Sequence, residues 1–155
     1  MIGDKMTKDA LKFFQSYIIE MIDVGGPNLP KSISSSLGAK LGKLYKERGI
    51  IGIENSLKKS YKVLNASPDI KKINDNTYEV TLKYKRKFCP IGGKHNPRRA
   101  DLLQESLCRP YTSGFLNEID PRYIYKGQVI ECNLKSNKGM CSYVLTLEEK
   151  KDHNS

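Results

Sequence analysis

The sequence contains no tryptophan, has two histidines, and has no apolar run near the length of a membrane helix. A helix needs roughly 20 apolar residues to cross a bilayer, so we expect no membrane span. The first residues, MIGDKMTKDALKFF, carry acidic groups and lack the apolar core and small-residue cleavage site of a secretory signal. These absences predict a soluble, cytoplasmic protein, in which thiols are normally reduced.

Motifs of the common nucleotide and metal enzymes are also absent. The sequence has no GxGxxG, no P-loop and no HExxH. One of its histidines, His153, lies in the polar tail (150–155), so a catalytic Cys–His pair would have to use His95. The acidic residues are scattered and form no recognisable acid–base pair. The sequence therefore favours a binding role over an enzymatic one.

The length and charge of the chain limit its class. The 155 residues fit a single domain, residues 1–155, and 38% of them are hydrophobic, which is enough for one core. Lysine and arginine outnumber the acidic residues, and the net charge is +10. Such an excess is typical of proteins that bind nucleic acid, anionic lipid or acidic ligands, although an evenly spread lysine-rich surface is a simpler interpretation. Without a helix-turn-helix or an RNP-type aromatic motif, we expect no sequence-specific binding of nucleic acid.

Basic residues are densest between Lys83 and Arg99, where no acidic residue occurs. Lys83, Lys85 and Lys87 alternate along a predicted strand and would share its solvent face. They either contact phosphates or anionic headgroups, or protect the edge of a sheet from pairing with another chain. The second interpretation requires no ligand, and we favour it.

The hydrophobic pattern predicts an α/β (α+β) domain that starts with three helices: Thr7–Asp23, Lys31–Arg48 and Ile53–Asn65. The apolar face of the first consists of Ala10, Phe14, Tyr17, Ile18 and Met21. The inward residues of the second are Ile33, Leu37, Leu41, Leu44 and Tyr45. Gly38 and Gly42 share a face of the second helix, where small residues permit close approach of another backbone, in a dimer or within the monomer.

After Pro68 the apolar period changes to two, which is typical of strands. The predicted strands of the first hairpin are Asp69–Ile73 and Thr77–Phe88, the second with Tyr78, Val80, Leu82 and Tyr84 on one face. A loop, Ile91–Pro97, and crossover helices, Arg99–Ile119 with a break near Pro110, come next. The second hairpin consists of Lys126–Cys132 and Met140–Leu147. We expect both hairpins to form one antiparallel sheet that packs on the helices.

The four cysteines all lie in the second half of the chain: Cys89, Cys108, Cys132 and Cys141. A symmetric second hairpin would place Cys132 opposite Cys141, with Cβ atoms roughly 4.5–5.5 Å apart, whereas a shift at Gly139 would separate them. Two thiolates this close can share a zinc ion or approach disulfide geometry. With Cys89, Cys108 and His95, they would offer enough ligands for a tetrahedral zinc site.

Other interpretations of the cysteines stay open. The chain has no C-x2-C knuckle, and a free cysteine often behaves as a small buried hydrophobe. His95 is more simply an exposed loop residue. A thiol-dependent enzyme would need a cysteine of lowered pKa, which Lys87 or Arg109 would provide to the neighbouring Cys89 or Cys108.

Several of these segments resemble the 4-vinyl reductase family of small-molecule-binding domains. The matching segments are Cys89-Pro90 after a strand, CRPYTSGFL (Cys108–Leu116), KGQVIEC (Lys126–Cys132), Cys141 on the last strand, and SSSLGAKLGKLYKERG (Ser34–Gly49) in the helical part. The resemblance covers Lys31–Glu148. Because no DNA-binding or ATPase domain is attached, and because the chain is lysine-rich, we expect a stand-alone member of archaeal type.

The resemblance implies a mixed α/β domain related to subunits of the TRAPP vesicle-tethering complex and to haem-based nitric-oxide sensors. It implies a small, often hydrophobic ligand, a sensory role, a homodimer, and a metal or redox role for the cysteines at 89, 108, 132 and 141. Beside them we expect aromatic side chains to line an apolar ligand pocket. These side chains are Phe88, Tyr111, Phe115 and Tyr143. A reductase-related protein and a dimeric tethering module remain the alternatives.

Overall fold

The computed structural model describes residues 2–85, 89 and 95–151. The first helices and the first hairpin are α1 (Ile2–Gly25), α2 (Asn28–Glu47), α3 (Ile53–Val63), β1 (Ala66–Asn74) and β2 (Thr77–Tyr84). The crossover and the second pair of strands are α4 (Pro97–Leu103), a π-helical turn (Gln104–Cys108), α5 (Arg109–Ile119), β3 (Tyr123–Glu131), α6 (Asn133–Ser136) and β4 (Met140–Glu149). Among the helices in the described ranges, none combines the length and apolarity needed to span a bilayer.

The four strands form one antiparallel sheet, as the sequence predicts, and their order is β1-β2-β4-β3. The predicted alternation along β2 is confirmed, because Tyr78, Val80 and Leu82 are buried while Glu79 and Lys83 on the other face are exposed. Leu145 and Leu147 of β4 are buried as well. This face packs on α3 and α5 and holds the larger of the two hydrophobic clusters.

Strand positions correct two expectations. The edge strand β1 starts before Pro68 and not after it, and Pro68 pairs with Leu82. Proline is tolerated at this position because an edge strand leaves the N–H groups of one side unpaired. β2 lies between β1 and β4, so the exposed Lys83 and Lys85 do not protect a sheet edge, and that interpretation is wrong. Lys87 and Phe88 lie outside the described residues.

The buried face of α2 differs from the predicted one. Its buried residues are Pro30, Ser34, Gly38, Gly42 and Tyr45. A Cβ on Gly38 would lie 2.1 Å from the Tyr111 carbonyl oxygen, and one on Gly114 would lie 2.2 Å from the Ser35 carbonyl oxygen. α2 and α5 therefore meet backbone to backbone inside the monomer, and a dimer through the Gly38/Gly42 face is excluded.

This contact turns the apolar stripe of α2 outward. Leu37 is 51% exposed, and Ile33 and Leu44 are exposed as well, whereas Tyr45 is buried as predicted. On α1, the predicted apolar face is likewise largely exposed. Ile18, which belongs to the predicted face, is buried together with Ile22, which does not, while Ala10, Phe14 and Tyr17 face solvent. The hydropathy pattern locates both helices, but only part of each predicted face lies on a core, namely Leu41 and Tyr45 of α2 and Ile18 of α1.

The helical crossover changes from α to π geometry and back before Pro110. Proline has no N–H to donate to the carbonyl four residues earlier, so a widened turn accommodates it. The predicted break therefore occurs as a π-helical turn that ends at Cys108. Such turns are frequent at functional sites.

The connection in the second hairpin is more elaborate than predicted. The segment after Cys132 forms the short helix α6 and ends on Asn137 and Gly139, both with positive φ. β3 starts earlier than predicted and ends at Glu131. A register irregularity between Val129 and Glu131 shifts the pairing with β4 by one residue near the end of the strand.

Candidate functional site

Cys132 and Cys141 meet at the end of the second hairpin. The last β3–β4 pair is Glu131 with Ser142, so Cys132 and Cys141 are the next residues on each side. Their side chains are hydrogen-bonded to each other, and the Asn133 N–H donates to Cys141 Sγ at 3.3 Å. The proximity of these two thiols is thus confirmed.

The surroundings of the pair favour a thiolate on Cys132. The hydrogen bond from the Cys141 thiol lowers the pKa of Cys132 most, and the Gln104 side chain and two backbone N–H groups add to it, while burial opposes it. As the donor of that hydrogen bond and a partly buried group, Cys141 has a raised pKa. The two thiols therefore differ in chemical character although they touch.

Cys108 has the opposite character to the one a nucleophile needs. Burial raises its pKa to about 12, and the nearby Cys89 and Cys132 act in the same direction. The sequence analysis expected Arg109, the next residue, to lower the pKa of Cys108. Arg109 is exposed to solvent and does not counteract the effect of burial on that pKa. In this structure a thiol-dependent reaction would start from Cys132 rather than from Cys108.

The zinc site receives no support from the positions of its predicted ligands. Cys89, Cys108 and Cys141 are half-buried, Cys132 is buried, and His95 is exposed. Within 2–85, 89 and 95–151, no three side chains of His, Cys, Asp or Glu are grouped so that they could hold a metal ion. Bound zinc therefore stays a prediction.

A group of tyrosines surrounds the thiols from the side of α3 and the sheet. Tyr61 of α3 is hydrogen-bonded to Tyr143 of β4 and to Thr112 of α5. Tyr84, at the end of β2, lies near Cys141 and Tyr61. We call Tyr61, Tyr84, Cys108, Cys141 and Tyr143 the tyrosine–cysteine cluster.

Burial controls the chemistry of this cluster. It raises the pKa of Tyr61 to about 12 and raises the pKa of Tyr84 and of Tyr143 well above the usual value. Each of the five residues is half-buried as a whole. The hydroxyls are neutral at physiological pH, so they can donate to or accept from the polar group of a ligand without the cost of a buried charge.

The predicted pocket residues that the structure describes do not line one common surface. Tyr143 lies in the cluster, whereas Phe115 is 1% exposed and its ring packs edge-on to Tyr45, with centroids 5.5 Å apart. Tyr111 is half-buried on the α2 side, where its carbonyl oxygen faces Gly38. Phe88 lies outside the described residues.

Sequence reasoning missed Tyr61 and Tyr84 as site residues. The hydrophobic pattern puts Tyr61 on the same side of its helix as Leu57 and Tyr84 on the same face of its strand as Leu82. The available signal for a site was that a tyrosine, whose ring carries a hydroxyl, lies near the end of each of these two apolar faces. Two open surface depressions lie elsewhere, one at the β1–β2 turn and one between α5 and β3, and neither includes a cysteine.

Comparisons with known proteins locate the fold. No family model matches the chain, and no curated protein matches it. The crystal structure of a trafficking protein particle complex subunit 3 from Naegleria fowleri, covalently bound to palmitic acid, is similar with a TM-score of 0.64 and 10% identity. That match covers 94% of this chain and 97% of the other.

A second similar structure is the phenol-responsive sensory domain of the transcription activator PoxR with phenol. Its TM-score is 0.49 and its identity is 12%, and the match covers 91% of this chain and 73% of the other. The similarity to the trafficking subunit shows that the chain has the fold of a TRAPP subunit, as the resemblance implied. A 4-vinyl reductase family model is not among the matches.

Proposed function

We propose that this protein is a cytoplasmic small-molecule-binding or sensory domain of the 4-vinyl reductase type, and that its ligand contacts the tyrosine–cysteine cluster. One observation carries the proposal: three tyrosine hydroxyls and two thiols from separate elements converge at the border of the hydrophobic core, in residues that are half-buried as a whole. Polar groups that converge among apolar walls are the usual composition of a small-molecule site.

The chemistry of the cluster points to an apolar ligand with one oxygen-bearing head. Val80, Leu82 and Leu145 supply an apolar floor on the sheet, and the tyrosine hydroxyls supply the donors. The palmitic acid bound to the similar trafficking subunit supports the choice of a long-chain acid as the first probe.

Removal of one hydroxyl tests this proposal. Tyr143→Phe keeps the ring but removes one partner of the Tyr61 pair, so we expect palmitic acid to bind about 5- to 10-fold more weakly, the equivalent of one net hydrogen bond. The measurement is isothermal titration calorimetry, preceded by native mass spectrometry of gently purified protein to detect a retained ligand.

Tyr123→Phe is the matched control, since Tyr123 lies on β3 and pairs with Glu149 at the far end of the sheet. It should bind palmitic acid as the original protein does. Equal affinities for both variants, with both folded, would contradict a role for the cluster in ligand binding.

We further propose that the protein forms a homodimer through α1 and α2. Large apolar side chains are exposed on both helices: Phe13, Phe14, Tyr17, Val24, Leu29, Ile33, Leu37 and Leu44. An exposed apolar area of this kind commonly marks a protein–protein contact. Since the glycine face of α2 is already occupied by α5, the leucine stripe is the face that remains for a second copy.

Leu37→Lys should shift the protein toward the monomer, because a charge in the centre of an apolar interface loses its water shell on association. We expect at least a tenfold rise in the dissociation constant, measured by sedimentation velocity over a dilution series. Ile51→Lys is the control, because Ile51 is 84% exposed in a loop outside both helices. A monomer at all concentrations of the unmodified protein would rule out self-association.

A further inference from the structure

We propose that Cys132 and Cys141 form a reversible disulfide, so that the end of the second hairpin is a redox-modification site. The proposal rests on the register of β3 and β4 and on the contacts of the two sulfurs. It does not depend on the ligand-binding function proposed above.

The register supplies the geometry. Opposed residues of antiparallel strands have Cα atoms roughly 4.5–5.5 Å apart, and disulfides join Cα atoms roughly 4.4–6.8 Å apart. Glu131 pairs with Ser142, which makes Cys132 and Cys141 the next opposed residues, and their thiols are already in contact. Closing the bond therefore requires a rotation of side chains rather than a movement of strands.

The backbone around the pair is held in place. The Cys132 carbonyl accepts from the N–H groups of Lys135 at 3.0 Å and Ser136 at 2.9 Å. The Asn133 side-chain carbonyl accepts from the Gly139 N–H at 2.8 Å. These bonds tie α6 to both strand ends, so the two sulfurs stay opposite each other in the reduced protein.

The polar surroundings assign different roles to the two sulfurs. The Gln104 side chain and the backbone N–H groups of Leu134 and Lys135 face Cys132, where they stabilise an anionic sulfur. Cys132 is 9% exposed and Cys141 is half-buried, which admits a small oxidant more readily than a large one. A peroxide is the oxidant that fits this access.

The reaction with hydrogen peroxide balances in two steps. The Cys132 thiolate attacks one peroxide oxygen, the O–O bond breaks, and hydroxide leaves, so that Cys132 becomes a sulfenic acid. The Cys141 sulfur then attacks the Cys132 sulfur, the S–O bond breaks, and water leaves with the thiol proton. Two thiols are oxidised, one peroxide is reduced to two waters, and a small dithiol such as dithiothreitol reverses the bond by exchange.

Peptide mapping tests the proposal on the full chain. The reduced protein is treated with hydrogen peroxide, its remaining thiols are alkylated, and intact mass and tryptic peptides are measured. We expect a loss of two hydrogens, alkylation of Cys89 and Cys108, and one linked peptide pair that contains Cys132 and Cys141. Dithiothreitol should release the link completely.

Variants separate this pair from other thiol reactions. Cys132→Ser and Cys141→Ala should each abolish the link, whereas Cys108→Ser should retain it, with circular dichroism to confirm folding. If a variant fails to fold, the peptide map of the unmodified protein still tests whether Cys132 and Cys141 form the disulfide. A link between other cysteines, or sulfinic acid on Cys132 without a link, would overturn the proposal. About one zinc per chain that protects both thiols until a chelator removes it would also overturn it.

Discussion

Gly38→Ala should lower the free energy of unfolding by about 2–3 kcal/mol, which is the cost of overpacking a tight contact. The direction is opposite to helix propensity, which favours alanine over glycine by about 1 kcal/mol. The new methyl group would lie 2.1 Å from the Tyr111 carbonyl oxygen and 2.9 Å from the Phe115 amide nitrogen. Both are backbone atoms, so no side-chain rotation can relieve the clash, and α2 must move away from α5.

Urea unfolding of matched variants measures this effect. Gly25→Ala is the control, because its methyl group would meet no atom of the described residues within 4 Å. It should be neutral or slightly stabilising. Gly114→Ala meets the Ser35 carbonyl oxygen across the same helix pair and should cost as much as Gly38→Ala. Combining the two should cost less than their sum, since one separation of the helices relieves both clashes. Equal stability of Gly38→Ala and Gly25→Ala would mean that the helices do not approach this closely.

The same helix pair explains why hydropathy was only partly right about the face of α2 that meets the core, where Leu41 and Tyr45 do pack. Apolar periodicity reports which side chains are hydrophobic, and on α2 it selects Ile33, Leu37 and Leu44. A face of Ser34, Gly38 and Gly42 allows a neighbouring helix to approach more closely than leucines would, and the gain lies in backbone contact rather than in side-chain area. The sequence raised both uses of the glycines, and only the position of α5 decides between them.

The proximity of Cys132 and Cys141 could be predicted because an irregularity in the β3–β4 register brings the two residues opposite each other. Along most of β3, the register pairs Val129 with Tyr143, and this register, if continued, would place Cys132 opposite Met140. The extra residue near Ile130 shifts the pairing by one, so that Cys141 becomes the neighbour. Hairpin symmetry gives the same pairing, although the turn itself contains α6.

The tyrosine hydroxyls could not be predicted in this way. Tyr61 and Tyr143 are 82 residues apart, and they meet because α3 packs on the sheet at β1, from where the Tyr61 hydroxyl reaches Tyr143 of β4. Local patterns place Tyr61 with the apolar residues of its helix. They contain no information about which inward polar atoms then face each other, since that depends on how the helices are placed across the sheet.

Phe115→Ala should cost about 3–5 kcal/mol of unfolding free energy, the range for removing a buried aromatic ring. Phe115 is 1% exposed, its neighbour Leu116 is 0% exposed, and its ring packs edge-on to Tyr45 at an interplanar angle of 87°. The cavity would lie where α2, α5 and the sheet meet, and Gly38 and Gly42 leave little room for collapse because the helices already touch. Urea unfolding measures the loss.

The same variant separates the two roles that Phe115 has been given. As a pocket residue it would face a ligand, so that its removal would weaken palmitic acid binding at modest cost in stability. As a core residue it should cost stability and leave the affinity of the folded fraction within about twofold, because the hydroxyls of Tyr61 and Tyr143 are intact. Phe14→Ala, at a side chain 47% exposed, is the control and should stay within about 0.5 kcal/mol. A Phe115→Ala protein that is as stable as Phe14→Ala but binds palmitic acid poorly would move the ligand site from the sheet end toward α5.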